Sequence, residues 1–214
     1  MKNTLNITIE NYASDFVAKL TKPPHLILAS LVLSGDVNFD SYDDYAESCG
    51  KIHLLHMAIG VTGEVVEFME ACVIQDADES DTVVEELGDI LFYLVGMFRE
   101  LKLEGYWYDY LPDGYGDNSL TESPLTGYES FVLAAGNLLD AVKKAVIYND
   151  DTKLPLIQNC WRECMKEFQT ALWHLLDYNL LGAVIAHNVD KLSKRYKELT
   201  YSDEAAAVRA DKLN

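Results

Sequence analysis

Positive charge is scarce in this sequence beside negative. Seventeen lysines and arginines stand against 35 aspartates and glutamates, giving a formal net charge of −18. A chain this acidic repels nucleic-acid backbones and anionic bilayers, so neither a nucleic-acid polymer nor a membrane is expected as its partner. If its substrate is a phosphate ester, a cation has to be brought in. Cysteine is sparse as well. Cys49, Cys72, Cys160 and Cys164 contain no Cys-x-x-Cys pair. Cys160 and Cys164 lie one helical turn apart without a nearby histidine pattern, which argues against zinc. All four read as buried thiols of a reducing compartment, and a disulfide framework is not needed at this length. The first residues have no signal-peptide core. The apolar run His25–Ser34 is too short to cross a bilayer. A cytoplasmic location is expected. Alternating strand patterns of useful length are also missing, which leaves an all-α fold.

The helical periodicity divides the chain. Residues 1–40 read as a helical extension: a helix over about residues 9–20, a Lys22-Pro23-Pro24 break and a short apolar helix. Ser41-Tyr-Asp-Asp44 has the form of a helix N-cap with an acid at its third position, and no proline follows before Ile74. The acidic run Gln75–Asp81 breaks that helix. Asp81 or Thr82 can cap the next one, expected to reach Glu104. Residues 41–104 therefore form a helical hairpin. Residues 105–128 are rich in Tyr, Gly, Asp and Pro, without a helical period, and read as a linker or as a lid over a base. Helices over residues 129–148, 154–180 and 181–196 make up a second half, 129–214, ending in a basic tail; residues 41–214 form one domain.

The chemistry lies in the first hairpin. Glu64 and Glu67 are three residues apart, so a helix projects both from nearly the same face; Glu86 and Asp89 do the same on the next helix. Antiparallel packing of the two helices brings four carboxylates towards one point. Val65, Val66, Phe68 and Met69 flank the first pair, and Leu87, Ile90, Leu91 and Phe92 the second. Between His53 and Glu86 there is no Lys or Arg to neutralise them. Half-buried acids left together repel, and a hard divalent cation relieves that repulsion. A solvated acidic face is the bland alternative. A di-iron bundle would want Glu-x-x-His, which neither pair supplies.

Gly63-Glu64-Val-Val-Glu67, eighteen intervening residues and Glu86-Leu-Gly-Asp89 together resemble the MazG-like all-α nucleoside triphosphate pyrophosphohydrolases, whose signature is Glu-x-x-Glu followed by Glu-x-x-Asp. The lead-in His56–Glu64, the follow-on Glu85–Leu94 and the tail Asn188-Val-Asp-Lys-Leu-Ser-Lys-Arg-Tyr196 are similar to that family too. The resemblance implies Mg²⁺, with Mn²⁺ as a substitute, on Glu64, Glu67, Glu86 and Asp89. It implies hydrolysis of a (deoxy)nucleoside triphosphate to monophosphate and pyrophosphate, and phosphate contacts from Asn188 and Lys191. Arg195 and Tyr196 share the helical face of those two, and Lys143 and Lys144 are the other basic candidates. A basic helix end stabilised by its dipole is the alternative for the tail. His53, His56, Gly60, Glu64 and Glu67 form one stripe, so His53 and His56 are candidates for the nucleoside side, with a buried structural role as the ordinary reading. The family's Lys-Lys segment follows its first acidic pair, whereas here Asp140-Ala-Val-Lys143-Lys144 lies in the second half. Hydrolysis of another nucleotide diphosphate bond, in a phosphoribosyl-nucleotide or an alarmone, and non-catalytic nucleotide sensing are the competing functions.

The second half echoes the first. Gly63–Ile74 aligns with Gly136–Ile147, and Glu86–Leu94 with Glu167–Leu175, so that the four acids face Asn137, Asp140, Glu167 and Thr170. An internal duplication would make the chain a pseudo-dimer with one metal site. Lys143 and Lys144 would face that site across the bundle, and homodimerisation would use the remaining helix faces.

Overall fold

Ser41 starts the longest helix of the protein: its Oγ accepts a hydrogen bond from the Asp44 amide at 3.1 Å, the expected cap. In the computed structural model, which describes residues 7–31, 41–74, 80–111, 124–175 and 180–208, this helix is α3 (Tyr42–Ile74). Before it come a π-type turn, Tyr12–Val17, continuing into α1 (Ala18–Leu20), and α2 (Pro24–Leu31). After it come α4 (Ser80–Met97), α5 (Pro124–Ile147), α6 (Leu154–Leu175), α7 (Leu180–Arg195) and α8 (Asp203–Val208). Two short 3₁₀ turns, Trp107–Tyr110 and Asp151–Lys153, complete the described residues, which contain no strand.

Several boundaries differ from the sequence reading. The helix expected to reach Glu104 stops at Met97, and turns carry the chain on to Lys102, whose positive φ of 52° ends any helical continuation. Because α4 begins at Ser80, Asp81 and Thr82 lie in its first turn rather than before it. The Tyr-rich loop is shorter than residues 105–128. Pro124 opens α5, a position where its missing N–H costs nothing, and Tyr128 is already inside that helix, its ring edge-on to Phe68 at 5.3 Å. Trp107 packs inward, 2% exposed, against Tyr12 and Tyr108. Residues 112–123, on which the lid reading rests, lie outside the described residues.

Apolar residues at three- and four-residue spacing build the core: Met57, Val61, Val65 and Phe68 on α3, Leu87, Ile90, Leu91 and Leu94 on α4, and Phe131, Leu138 and Val142 on α5. Each such side chain contributes about 1.5–3 kcal/mol on full burial. α3 runs antiparallel to α4, with His53 reaching Gly96 and Gly60 lying under Tyr93. It is antiparallel to α5 as well, with Phe68 at Phe131, Thr62 at Ala135 and Lys51 at Asn149. α6 packs on α5, and the Trp161 indole N–H ties it to α4 through the Leu94 carbonyl at 2.8 Å. α7 covers the start of α4. The extension joins the same core through Tyr12, Phe16, Val17 and Leu20.

α3 is long and apolar enough to cross a membrane by length and composition, with mean hydropathy 1.3 over its most apolar window. α4 and α5 pack along α3, which carries Glu64, Glu67 and Glu70, and a third of its most apolar window is buried in this fold.

Candidate metal centre and its cavity

Glu64 and Glu67 leave α3 within one helical turn, and Glu86 leaves the facing turn of α4. One carboxylate oxygen from each lies within 4.8 Å of the other two. Glu86 is 7% exposed, Glu64 half-buried and Glu67 exposed. Burial and the charge of Asp89, then of Glu67 and Glu86, push Glu64 up to about 8. Burial, Asp89 and Glu67 push Glu86 up to about 7. Neighbouring carboxylates that resist ionisation in this way are a donor set suited to a hard divalent cation, which takes oxygen ligands and removes the repulsion. The three carboxylates could hold a cation of that class.

The fourth acid stands apart from this triad. Asp89 Oδ1 accepts from Asn188 Nδ2 at 2.8 Å, and Asp89 Oδ2 accepts from the Lys191 ammonium. Lys191 also pairs with Glu85 at 2.8 Å while 7% exposed. Burial pulls its pKa down, and Asp89 and Glu85 outweigh that and raise it. Behind Asn188, the Tyr12 hydroxyl donates to Oδ1 at 2.7 Å, and both Tyr12 and Asn188 are fully buried.

Glu64 and Asp89 also form one wall of a cavity of about 270 Å³. Phe92, Tyr93, Tyr196 and Tyr201 give it aromatic sides, and Lys22 and Arg195 give it cations. His56 lines it too, edge-on to Tyr93, with Nδ1 buried and unpartnered. Burial, then His53 and Lys22, lower the His56 pKa and favour the neutral ring. Tyr201 and Ala206 come from the chain's last described segment, which is fastened to the extension: the Tyr201 amide donates to the Lys19 carbonyl at 3.0 Å and Lys22 pairs with Asp203 at 2.7 Å.

Glu64, Glu67, Glu86, Asp89, Asn188, Lys191, Arg195, Tyr196 and His56 thus gather in one region. His53 does not reach the cavity; its Nε2–H donates to the Gly96 carbonyl at 2.7 Å, and it serves as a tie between α3 and α4. Lys143 and Lys144 do not face the acids across the bundle. Both pair with Asp140 on their own helix, at 2.6 and 2.5 Å. The antiparallel register with α3 sets them level with residues near Leu54, roughly 10–15 Å along the axis from Glu64. Tyr12, Lys22, Tyr93 and Tyr201 were missed. Tyr93 had a signal, one turn after Asp89 on the same helix. Tyr12, Lys22 and Tyr201 had none, because they belong to the ends of the chain and only the fold brings them here.

Comparison with protein families, curated proteins and solved structures finds no match to this chain.

Proposed function

We propose that this protein hydrolyses nucleoside triphosphates to the monophosphate and pyrophosphate with a divalent cation held by Glu64, Glu67 and Glu86 and flanked by Asp89. The observation that carries this reading is the group of three carboxylates from two antiparallel helices, beside a cavity that offers both aromatic rings and cations. Glu64, Glu67 and Glu86 would hold Mg²⁺, or Mn²⁺ in its place, and such an ion would supply charge neutralisation for phosphate oxygens and a more acidic water. Lys22 and Arg195 are donors for phosphate oxygens. Phe92, Tyr93, Tyr196 and Tyr201 offer faces for a base, and the neutral His56 ring can hydrogen-bond to it. Lys191 and Asn188 act on Asp89 in this arrangement, holding its carboxylate rather than reaching for phosphate. Attack of water at the α-phosphorus, which the family resemblance implies, breaks the α–β bond and releases pyrophosphate. We assign the proton to Glu67, the most exposed of the triad.

We further propose that α5 and α6 are the decayed copy of α3 and α4, so that one metal site remains per chain. Two copies of the chain would associate through the exposed Ile59, Val66 and Val73, spaced seven residues apart on α3. The acids along α3 and the four free cysteines support an aqueous, reducing setting, the cytoplasm. The test is product analysis of the purified chain with Mg²⁺ and a panel of triphosphates. Monophosphate with equimolar pyrophosphate supports the reading. Nucleotide that binds but returns unchanged overturns it in favour of a sensor.

A further inference from the structure

Asp89 is held by a chain of two buried hydrogen bonds that begins in the amino-terminal segment. We propose that Tyr12 is a positioning residue for Asp89: it fixes the amide of Asn188 so that the NH₂ group faces the Asp89 carboxylate and holds that carboxylate in place beside the acidic triad. The role rests on the metal reading given above.

The geometry leaves the amide one orientation. A carboxylate offers only acceptors, so Asn188 must present Nδ2 to Asp89 Oδ1, at 2.8 Å. Its Oδ1 then faces the Tyr12 hydroxyl, which donates at 2.7 Å. A flipped amide would set its oxygen against the carboxylate and leave the phenol proton without an acceptor in a site where both residues are 0% exposed. Tyr12 cannot swing away, because its ring is stacked on Phe16 at 5.7 Å and tilted against Trp107 at 6.3 Å. The approach of α7 to α4 depends on Gly88, where an added Cβ would stand 3.0 Å from Asn188 Cβ. This gives the glycine of Glu86-Leu-Gly-Asp89 a reason: it lets Asn188 come close enough to bond the acid one residue further on. Lys191 holds the other oxygen, so both oxygens of the Asp89 carboxylate are engaged.

The test is a double-mutant cycle in the full chain, read by Mn²⁺ calorimetry at pH 8.5 and by hydrogen exchange of the Asn188 side-chain amide in the metal-free protein. Tyr12→Phe keeps the ring and removes the donor. It should speed exchange of that amide and weaken Mn²⁺ binding about tenfold, the lower end of what an outer-shell partner of a metal site contributes, because Asp89 flanks the triad without joining it. Asn188→Ala should weaken binding at least as much, and Tyr12→Phe added to it should change nothing further. Equal losses from Tyr12→Phe with and without Asn188 would make its role mere packing and overturn the proposal, as would wild-type affinity in Tyr12→Phe. Should Tyr12→Phe lose its helical signal, Asn188→Ala alone removes the amide through which Tyr12 acts, and unchanged Mn²⁺ affinity there is equally fatal. A wild-type chain that takes up no Mn²⁺ overturns the metal reading and this role together, whereas wild-type uptake with an unaffected Tyr12→Phe overturns this role alone.

Discussion

The ring of Tyr93 lies across the backbone of Gly60, so closely that a Cβ built on the glycine would stand 2.3 Å from Tyr93 Cδ1 and 2.6 Å from Cγ. The contact runs along one edge of the ring, Cε1 included at 2.4 Å, so the whole ring has to move to relieve it. Gly60→Ala should cost about 1–3 kcal/mol, the usual range for overpacking, and push Tyr93 towards the cavity. Gly63, three residues on, meets nothing within 4 Å. There the same substitution should gain about 0.5–1 kcal/mol from helix propensity alone. Urea unfolding of the two variants checks the opposite signs.

Removal of a metal ligand should separate function from folding. Glu64→Gln or Glu86→Gln keeps volume and removes one charge, so the helical signal should stay while turnover with Mg²⁺ falls by more than about a hundredfold, beyond the loss typical of an outer partner. Calorimetry should give one divalent site per chain in the wild type. Two equivalent sites would contradict the decayed second hairpin.

The raised carboxyls set a pH dependence of definite sign. Glu64, near 8 against an ordinary 4.5, and Glu86, near 7, bind protons in the folded chain that the unfolded chain has released. Without metal, stability is therefore greatest at the acid end of the window from about 4.5 to 8 and declines as pH rises through it. Thermal melting with chelator at pH 5.5 and pH 8.5 should show the drop, and Glu64→Gln should shrink it. Metal needs the ionised acids, so Mn²⁺ affinity should climb over the same window, with proton release on binding at pH 7 visible as a dependence on buffer enthalpy.

Lys191 and Lys22 make ion pairs of unequal worth. Lys191 is 7% exposed between Glu85 and Asp89, and Lys191→Met leaves two acids without their counterion, an expected loss of about 3 kcal/mol in metal-free protein. Lys22 meets Asp203, whose side chain is 62% exposed, and Lys22→Ala should cost less than about 1 kcal/mol. Comparable losses in chelator-treated urea unfolding would refute the assignment of Lys191 as a buried counterion.

What was legible in the sequence was local. Helix type, the Ser41 cap, the pairing of Glu64 with Glu67 and the shared face of Asn188 and Lys191 all follow from three- and four-residue spacing, and the structure keeps them. The proline at 124 and the left-handed Lys102 decided boundaries that periodicity alone overran. Lys143 and Lys144 were placed by analogy between the halves, but the antiparallel register of α5 on α3 carries them away from the acids, and a nearer partner, Asp140, holds them. Asp89 looked equivalent to the other three acids because spacing cannot report the amide and ammonium that a distant helix brings to it.

The hydrogen bond between Tyr12 and Asn188 joins residues 176 positions apart, and this separation has a consequence for the order of folding. α3 and α4 can pair through short-range contacts as soon as both are synthesised, whereas Asp89 acquires its orientation only when the first and last helical segments meet around it. Contacts of such long sequence separation close slowly, since the loop entropy must be spent before they form. In stopped-flow refolding, helical ellipticity should return well ahead of high-affinity Mn²⁺ uptake. On the ribosome, a chain with every acid of the triad already exposed to solvent would remain inactive until α7 had emerged.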